Sequence, residues 1–363
     1  MFNLPFFLGL FPLVVLVVLI INVKMPVYKA VLITLALVLG ITYFAFDTPA
    51  SDLANAVGYG ILKGLWPIVI VIFGAIFAYN LMQKTGAISV IRDQLSRVTD
   101  DRRLLLLLIT WGFGSFLEAA AGFSTAVAIP LGILMALGFD PIRAAVVALV
   151  SDTVATVFGA VGIPVTVMGD MLHLPVVGFD GMSFLVVCQL GILNIIIPFL
   201  LIVIMEGSIK ALKGVFMVTL ITGVITLIPE LIIAAFVGPE LTAFGGALAA
   251  LATMLVLFKA RKTPTPEEYR IKMDHTSEAA SGGEVFRAVS IYALMFIFIL
   301  VCSPLFPSVG ASLNHISTTF AFPVGEKTLK ATFNWITTPG MLIIFATLIG
   351  GARHDHLDRR LYA

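Results

Sequence analysis

The stretch LLLLLITWGFGSFLEAAAGFSTAVAIPLGILMALGF, residues 104–139, decides the fold, because it is a long apolar run with one carboxylate, Glu118, in its middle. No lysine or arginine lies within fourteen residues of Glu118 on either side. An ionised acid at bilayer depth costs several kcal/mol, so membrane helices rarely keep one without a use. Three glycines, Gly112, Gly114 and Gly122, surround it. The pattern predicts a helix that breaks near mid-membrane around a polar residue, as at transporter substrate sites.

The composition of the 363 residues indicates the class of protein. Hydrophobic residues make up 60% of the chain and charged residues 12%, and the mean hydropathy is +1.08. Soluble domains are about one quarter charged, so the chain is predicted to be an all-α polytopic membrane protein. The net charge of +1 and the lack of a basic cluster with aromatics argue against nucleic-acid binding. Cys188 and Cys302 lie in separate apolar runs, so no disulfide, metal site or cofactor is predicted.

Apolar stretches of about the length that crosses a bilayer recur along the chain. We predict about 9–11 transmembrane or re-entrant segments of the secondary-transporter type, with broken helices. The first stretch has no positive residue before it and no small-residue cleavage pattern, so it is interpreted as a retained helix. The segments are expected near residues 4–22, 27–46, 64–82, 104–139 as a pair, 142–163, 182–205, 214–236, 240–258, 288–305 and from about 340.

The distribution of basic residues predicts the orientation of these segments. If 104–139 enters and leaves by the same face, all the loops rich in lysine and arginine fall on one side. The N-terminus is then outside and the 259–287 loop is cytoplasmic. This loop, with its Thr-Pro-Thr-Pro run, is predicted to be a flexible connector. The opposite side carries mainly acids: Asp47, Asp52, Asp170, Asp180, Glu230 and Glu240.

The predicted segments and loops divide the chain into four parts. Residues 1–258 are predicted to form an N-terminal transmembrane domain with a broken-helix substrate region at 104–165. Residues 259–287 form the cytoplasmic linker. Residues 288–352 add further membrane segments and an outer loop, and residues 353–363 are an aberrant charged tail.

A first candidate site follows Glu118. If the chain unwinds near Gly122, then Phe123, Ser124 and Thr125 open a new half-helix with Ser124 or Thr125 as its N-cap. The freed N–H groups and the positive end of the helix dipole would bind a small anion at membrane depth. The alternative is a close helix crossing, at which glycine and alanine only let backbones touch.

A second candidate site lies in SDTVATVFGAVGIPVTVMGD, residues 151–170. Ser151, Asp152 and Thr153 are polar residues within one span, and Thr156 follows Asp152 at helical spacing. Ser151 and Thr153 are predicted to contact substrate, while Glu118 and Asp152 are predicted to carry the coupling proton. Burial favours the neutral form of a carboxyl group, which makes Glu118 the leading proton acceptor. The alternative is that Asp152 only joins helices by hydrogen bonds.

Three stretches resemble the lactate permease family: GYGILKGLWPIVIVIFGAIFAYNL (58–81), SFLEAAAGFSTAVAIPLGILMALGFDPIRAA (115–145) and DTVATVFGAVGIPV (152–165). The resemblance implies an inverted-repeat secondary transporter that takes up lactate, and often glycolate, with protons across the bacterial inner membrane. The family's LEGAAGF-like motif corresponds to residues 117–123. Its Asn-Thr pair corresponds to Asp152 and Thr153, and the aspartate adds a titratable group.

Members of that family are longer, so one half of the inverted repeat is expected to be largely present here. The final apolar segment has about twelve residues before Arg353, whereas a span needs roughly twenty. We therefore expect that this segment does not span stably. The polypeptide is correspondingly expected to be an inactive or partner-dependent fragment.

Two other classes of protein stay open at this level. One is a non-transporting membrane subunit that depends on a partner. The other is an intramembrane enzyme, which would require clustered Asp, His or Arg at the membrane face. The predicted membrane segments contain no DxxD or HxxxD cluster of this kind, so no enzymatic activity is predicted. The pattern does not distinguish L-lactate, D-lactate and glycolate, and it does not set the oligomeric state.

Overall fold

The structure is a computed structural model that describes residues 4–120, 122, 125–261, 264–271, 280–303 and 305–352, without the side chains of residues 67, 125 and 126. It is helical apart from one small two-stranded sheet, which confirms the predicted fold class. The first helices are α1 (Leu4–Ile21), α2 (Val27–Ala45), α3 (Ala50–Lys63), α4 (Ile70–Lys84), α5 (Ala87–Ser96), α6 (Arg102–Leu107), α7 (Ser115–Ala120) and α8 (Thr125–Ala136).

The remaining elements follow in the same order. They are α9 (Pro141–Ala155), α10 (Gly159–Leu172), α11 (Met182–Glu206), α12 (Phe216–Phe236), α13 (Pro239–Ala260), α14 (Gly282–Cys302), α15 (Pro307–Asn314), β1 (Ser317–Val324), β2 (Lys327–Asn334) and α16 (Pro339–Gly351).

Nine helical stretches among the described residues are long and apolar enough to cross a membrane, which makes the chain a multi-pass membrane protein. Most of them begin and end within a few residues of the predicted segments, and three differ more. The fifth continues to Leu172 instead of ending near residue 163, and the ninth begins at Gly282 instead of residue 288. The third begins at Ala50 instead of residue 64 and runs to Lys84, with a non-helical backbone at Trp66. Its first turns were missed because Ser51, Asp52 and Asn55 make them look like a polar loop.

The chain divides into two compact units, and the first comprises residues 1–66 and 318–333. Helices α1 and α2 expose most of their apolar side chains, as expected of surfaces that face lipid. The hairpin of β1 and β2 packs on α3: Asn55 Nδ2 donates to the Pro323 carbonyl at 2.7 Å, and the Gly325 N–H donates to Asp52 Oδ2 at 2.8 Å. The sequence predicts an outer loop here, without strands.

The second unit, residues 67–317 and 334–363, is built around the Glu118 stretch. Residues 104–109 are completely buried, and the helix continues through a π-helical turn, Leu108–Gly114, into α7. Helices α8, α9 and α13 pack around it. A helix that is apolar on every face is buried on every face, which explains its central position.

The segment 104–139 is a hairpin with unequal arms. Helix α8 has 12 residues, or roughly 18 Å at 1.5 Å per residue, too short for a hydrocarbon core of about 30 Å. The Arg102 guanidinium lies 5.1 Å from the centre of the Phe139 ring, so the two ends of the hairpin are side by side. The segment therefore enters and leaves on the same face of this unit.

A buried charge cluster holds that face together. Asp101 accepts hydrogen bonds from Arg103 Nη2 at 2.8 Å and from Arg261 Nη1 at 2.7 Å, and the Tyr269 ring lies 3.9 Å from the Arg103 guanidinium carbon. Burial raises the pKa of the Asp101 carboxyl, but the hydrogen bonds and positive charges of the two arginines outweigh it and leave that pKa below the usual value. Residues 264–271, which belong to the predicted connector, contact this cluster, partly through an ion pair of Arg270 with Asp100.

The last helix, α16, packs between α4 and α14. A Cβ on Gly340 would lie 2.6 Å from the Ile70 carbonyl carbon, and one on Gly350 would lie 2.7 Å from Ile291 Cγ1, so both glycines permit close helix contacts. The helix has 13 residues, and the expectation that it does not span stably stays a prediction. Residues 353–363 lie outside the described part of the chain.

Candidate functional site

The first helix break lies where the sequence predicts it. Helix α7 ends at Ala120, Gly122 has φ of +60°, and α8 begins at Thr125. The Gly122 N–H still donates to the Glu118 carbonyl at 2.9 Å, so the break begins one turn after Glu118. Glycine is required here because a positive φ is unfavourable for residues with a Cβ.

A second break interrupts the span that carries Asp152. Helix α9 passes into a 3-10 turn, Thr156–Phe158, and Gly159 is extended with ψ of 161°. Ala160, Val161 and Gly162 then all have positive φ, between 47° and 70°, before the helix continues to Leu172. The predicted span ended near residue 163, whereas the structure continues it beyond the break. A β-branched residue such as Val161 in this conformation is strained, and such strain concentrates at functional sites.

The two breaks are in contact. A Cβ on Gly122 would lie 2.9 Å from the Ala160 backbone nitrogen, and a Cβ on Gly159 would collide with the Glu118 carboxylate. A Cβ on Gly162 would collide with the Pro239 backbone at the start of α13. The glycines of both breaks therefore let three backbones meet next to Glu118.

A cavity of about 390 Å³ opens at this junction, near the lower end of the ~300–1,000 Å³ that is usual for ligand pockets. It has room for a small carboxylate together with water. Its polar groups come from Glu118, Asp152 and Thr156, and Thr156 is exposed on the open side. Its other lining residues are Ile68, Gly159, Ala160, Ile163, Pro164 and Val167, and none of the described lining residues is basic.

The two carboxyl groups interact directly with each other in the cavity wall. Glu118 is only 3% exposed, and Glu118 Oε2 and Asp152 Oδ1 are both buried without a hydrogen-bond donor among the described residues. Thr156 Oγ1 donates to Asp152 Oδ2 at 3.1 Å. Two carboxylates close together repel each other strongly away from bulk water, and protonation of one of them relieves that repulsion.

The structure brings together some of the predicted site residues and separates others. Glu118 and Asp152 line the cavity, and Gly122 lies against Ala160, which also lines it. Ser151 is buried, its hydroxyl has no hydrogen-bond partner among the described residues, and it does not line the cavity. Thr153 is exposed and donates to the Val150 carbonyl at 2.7 Å. Phe123, Ser124 and the side chain of Thr125 lie outside the described residues.

Other lining residues were not among the predicted contacts. Thr156 was visible in the sequence through its spacing of four residues from Asp152, which places both side chains on one helix face. Ala160 carried no such signal, because nothing in its residue type predicts a positive φ. No group of three or more His, Cys, Asp or Glu residues in the described ranges is placed to hold a metal ion.

Two broken helices that meet beside a cavity lined by two acids define the class as a polytopic membrane protein of the secondary-transporter type. The family model described as L-lactate permease matches residues 5–354, and the chain belongs to the L-lactate permease family. Membership of a permease family points to transport instead of catalysis. No solved structure shows a significant match.

Curated relatives agree with this assignment. The chain is 38% identical over 292 residues to an L-lactate permease of Streptococcus iniae, covering 80% of this chain and 60% of that protein. It is 35% identical over 321 residues to the L-lactate permease of Bacillus subtilis, covering 84% and 56%. It is 33% identical over 283 residues to the glycolate permease GlcA of Escherichia coli, covering 76% and 50%. The chain thus spans about half to two thirds of the length of the curated relatives that it matches.

Proposed function

We propose that this chain forms the substrate site of a secondary transporter that takes up lactate and glycolate with protons across the bacterial cell membrane. The observation that carries the proposal is the Glu118–Asp152 carboxyl pair in a small cavity between two broken helices. The names of the relatives, L-lactate permease and glycolate permease, support the substrate class.

The carboxyl pair couples the proton to the substrate by charge. An anion about 4 Å from an ionised carboxylate is destabilised by ~4 kcal/mol at an effective dielectric constant of ~20. A proton on the pair removes one of its two negative charges and lowers the repulsion by about this amount. Lactate therefore binds more tightly after the proton is bound and leaves more readily after it is lost. Glu118, the more buried of the two acids, is the leading proton acceptor, and Asp152 shares the proton with it.

The substrate carboxylate is bound by backbone N–H groups at the first break. Residues 122–124 precede α8, and the positive end of a helix dipole favours an anion there. Thr156 is better placed than Ser151 or Thr153 to contact the substrate, because it lines the cavity. For the orientation we propose an N-terminus outside and a cytoplasmic 259–287 region. The basic residues Arg102, Arg143 and Arg261 all lie at the face of the second unit where the 104–139 hairpin begins and ends, which supports this orientation.

Liposomes that contain the purified 363-residue chain test the proposal. We expect lactate binding by the chain that strengthens at lower pH. Uptake, by the chain alone or together with a partner chain, should be driven by an inward proton gradient and abolished by a protonophore. Glu118→Gln should abolish gradient-driven accumulation more than binding or exchange. Glu326→Gln, at the exposed hairpin turn, is the matched control and should leave both unchanged.

Two results would contradict the proposal. Uptake that persists after the proton gradient is collapsed would remove the proton coupling. Absence of lactate and glycolate binding by correctly folded protein, at any pH, would remove the substrate assignment. Turnover of a substrate without flux would instead support an intramembrane enzyme.

A further inference from the structure

A second buried acid lies apart from the cavity, on α12. Glu230 is 6% exposed and accepts a hydrogen bond of 2.7 Å from Asn194 Nδ2 on α11, which is 1% exposed. On the third side, a Cβ on Gly246 of α13 would lie 2.6 Å from Glu230 Oε1, so the glycine leaves space for the carboxyl group. The orientation prediction counted Glu230 among the acids of the outer side; it lies inside α12, within the predicted segment 214–236.

Glu230 has no cationic partner among the residues that the structure describes. Its one hydrogen bond comes from a neutral amide. None of the other titratable groups on the helices packed around it forms an ion pair or hydrogen bond with it. Those groups are Cys188 on α11, Glu206 at the end of α11, which pairs with Arg102 at 3.0 Å, and Glu240 and Lys259 at the two ends of α13.

The amide of Asn194 suits both protonation states of the acid. As placed, its nitrogen donates to a carboxylate, while its Oδ1 is buried without a donor. Once Glu230 takes up a proton, a half-turn of the amide lets Oδ1 accept the new O–H. The oxygen and nitrogen of an amide have nearly the same shape, so this half-turn needs no repacking. A buried oxygen without a donor is therefore the acceptor that a protonated Glu230 requires.

A hydrogen bond joins α12, the helix of Glu230, to the helical stretch that leads to Glu118. Trp111 Nε1 donates at 3.0 Å to Thr226 Oγ1, and Thr226 lies one turn before Glu230 on α12. Trp111 lies in the π-helical turn that continues into α7, seven residues before Glu118. Protonation at Glu230 thus takes place on a helix that is hydrogen-bonded to the π-helical turn just before α7.

We propose that Glu230 and Asn194 form a second proton-binding site, separate from the Glu118–Asp152 pair. A proton from water converts the Glu230 carboxylate to the acid, and the Asn194 amide exchanges its donor for its acceptor. As a binding site this stands alone, whereas its use as a second coupling site rests on the proposed transport function.

Infrared difference spectroscopy of the full chain in liposomes, as pH is stepped from mildly acidic to alkaline, tests the site. Among the titrating carboxyl C=O bands, we expect one that is absent from the Glu230→Gln variant. The same band should be present in the Glu118→Gln and Glu326→Gln variants. Asn194→Ala should change the frequency of that band, because it removes the hydrogen bond to the carboxyl. This second variant keeps the test informative if Glu230→Gln does not fold.

The opposite result is equally clear. If neither Glu230→Gln nor Asn194→Ala alters any titrating band, Glu230 keeps one protonation state and only joins α11 to α12, and the proposal is overturned. Lactate binding is measured on the same samples. If the unmodified chain shows the Glu230 band but does not bind lactate, the proposed function is contradicted and the second proton-binding site is still supported.

Discussion

Substitution of Gly122 by alanine tests whether the contact between the two helix breaks creates the cavity. Gly122 has φ of +60°, and an added Cβ would lie 2.9 Å from both the Cβ and the backbone nitrogen of Ala160. The left-handed conformation costs a non-glycine residue about 1–2 kcal/mol, and overpacking against backbone adds about 1–3 kcal/mol. We therefore expect Gly122→Ala to lower the free energy of unfolding by roughly 2–5 kcal/mol.

The matched control is Gly132→Ala, in the middle of α8. A Cβ there would have no heavy atom within 4 Å, so this substitution should be neutral or stabilise the helix by about 0.5–1 kcal/mol. Denaturant titration of both variants in detergent micelles gives the comparison, with lactate binding as a second readout. If Gly122→Ala is as stable as Gly132→Ala and binds lactate normally, the two breaks do not meet as described.

Three further predictions follow from the charged groups. Lactate affinity should fall by up to roughly a thousandfold as rising pH removes the shared proton, which is the equivalent of ~4 kcal/mol of repulsion. Measurement of equilibrium lactate binding across pH checks this, and an affinity that does not change with pH would contradict the charge argument. Asp152→Asn should make that pH dependence smaller, because the cavity then keeps one titratable acid instead of two, and an unchanged profile would exclude Asp152 from the pair. Asp101→Asn should lower the free energy of unfolding by about 3–5 kcal/mol by leaving Arg103 buried without its carboxylate, and Glu326→Gln serves as the control. The folded-state pKa of Asp101 is lower than its unfolded value of 3.8. The contribution of Asp101 to the free energy of unfolding should therefore be complete above pH 3.8 and be lost only as pH falls toward the folded-state pKa. Loss of this contribution in the neutral range would refute the sign of the shift.

Much of the fold was predictable because the relevant physics is local. Hydropathy over about twenty residues depends only on the residues themselves, so most of the membrane segments were located to within a few residues. Glu118 and Gly122 were also recognisable, since an acid in an apolar run and a glycine one turn later are unusual in any spanning helix. By the same reasoning the sequence missed the hairpin of β1 and β2, whose strands are stabilised by α3, a partner distant in the chain.

The sequence by itself determined that this chain enters a membrane, where its helices run and where one of them breaks, because the cost of placing charges and free backbone groups in lipid is paid residue by residue. Only the tertiary structure decided which distant groups meet. It joined Glu118 to Asp152, 34 residues apart, and Asn194 to Glu230, 36 residues apart, and it bound Arg261 to Asp101 across the bundle. Such pairings depend on how helices pack, and packing depends on the shapes of many side chains at once.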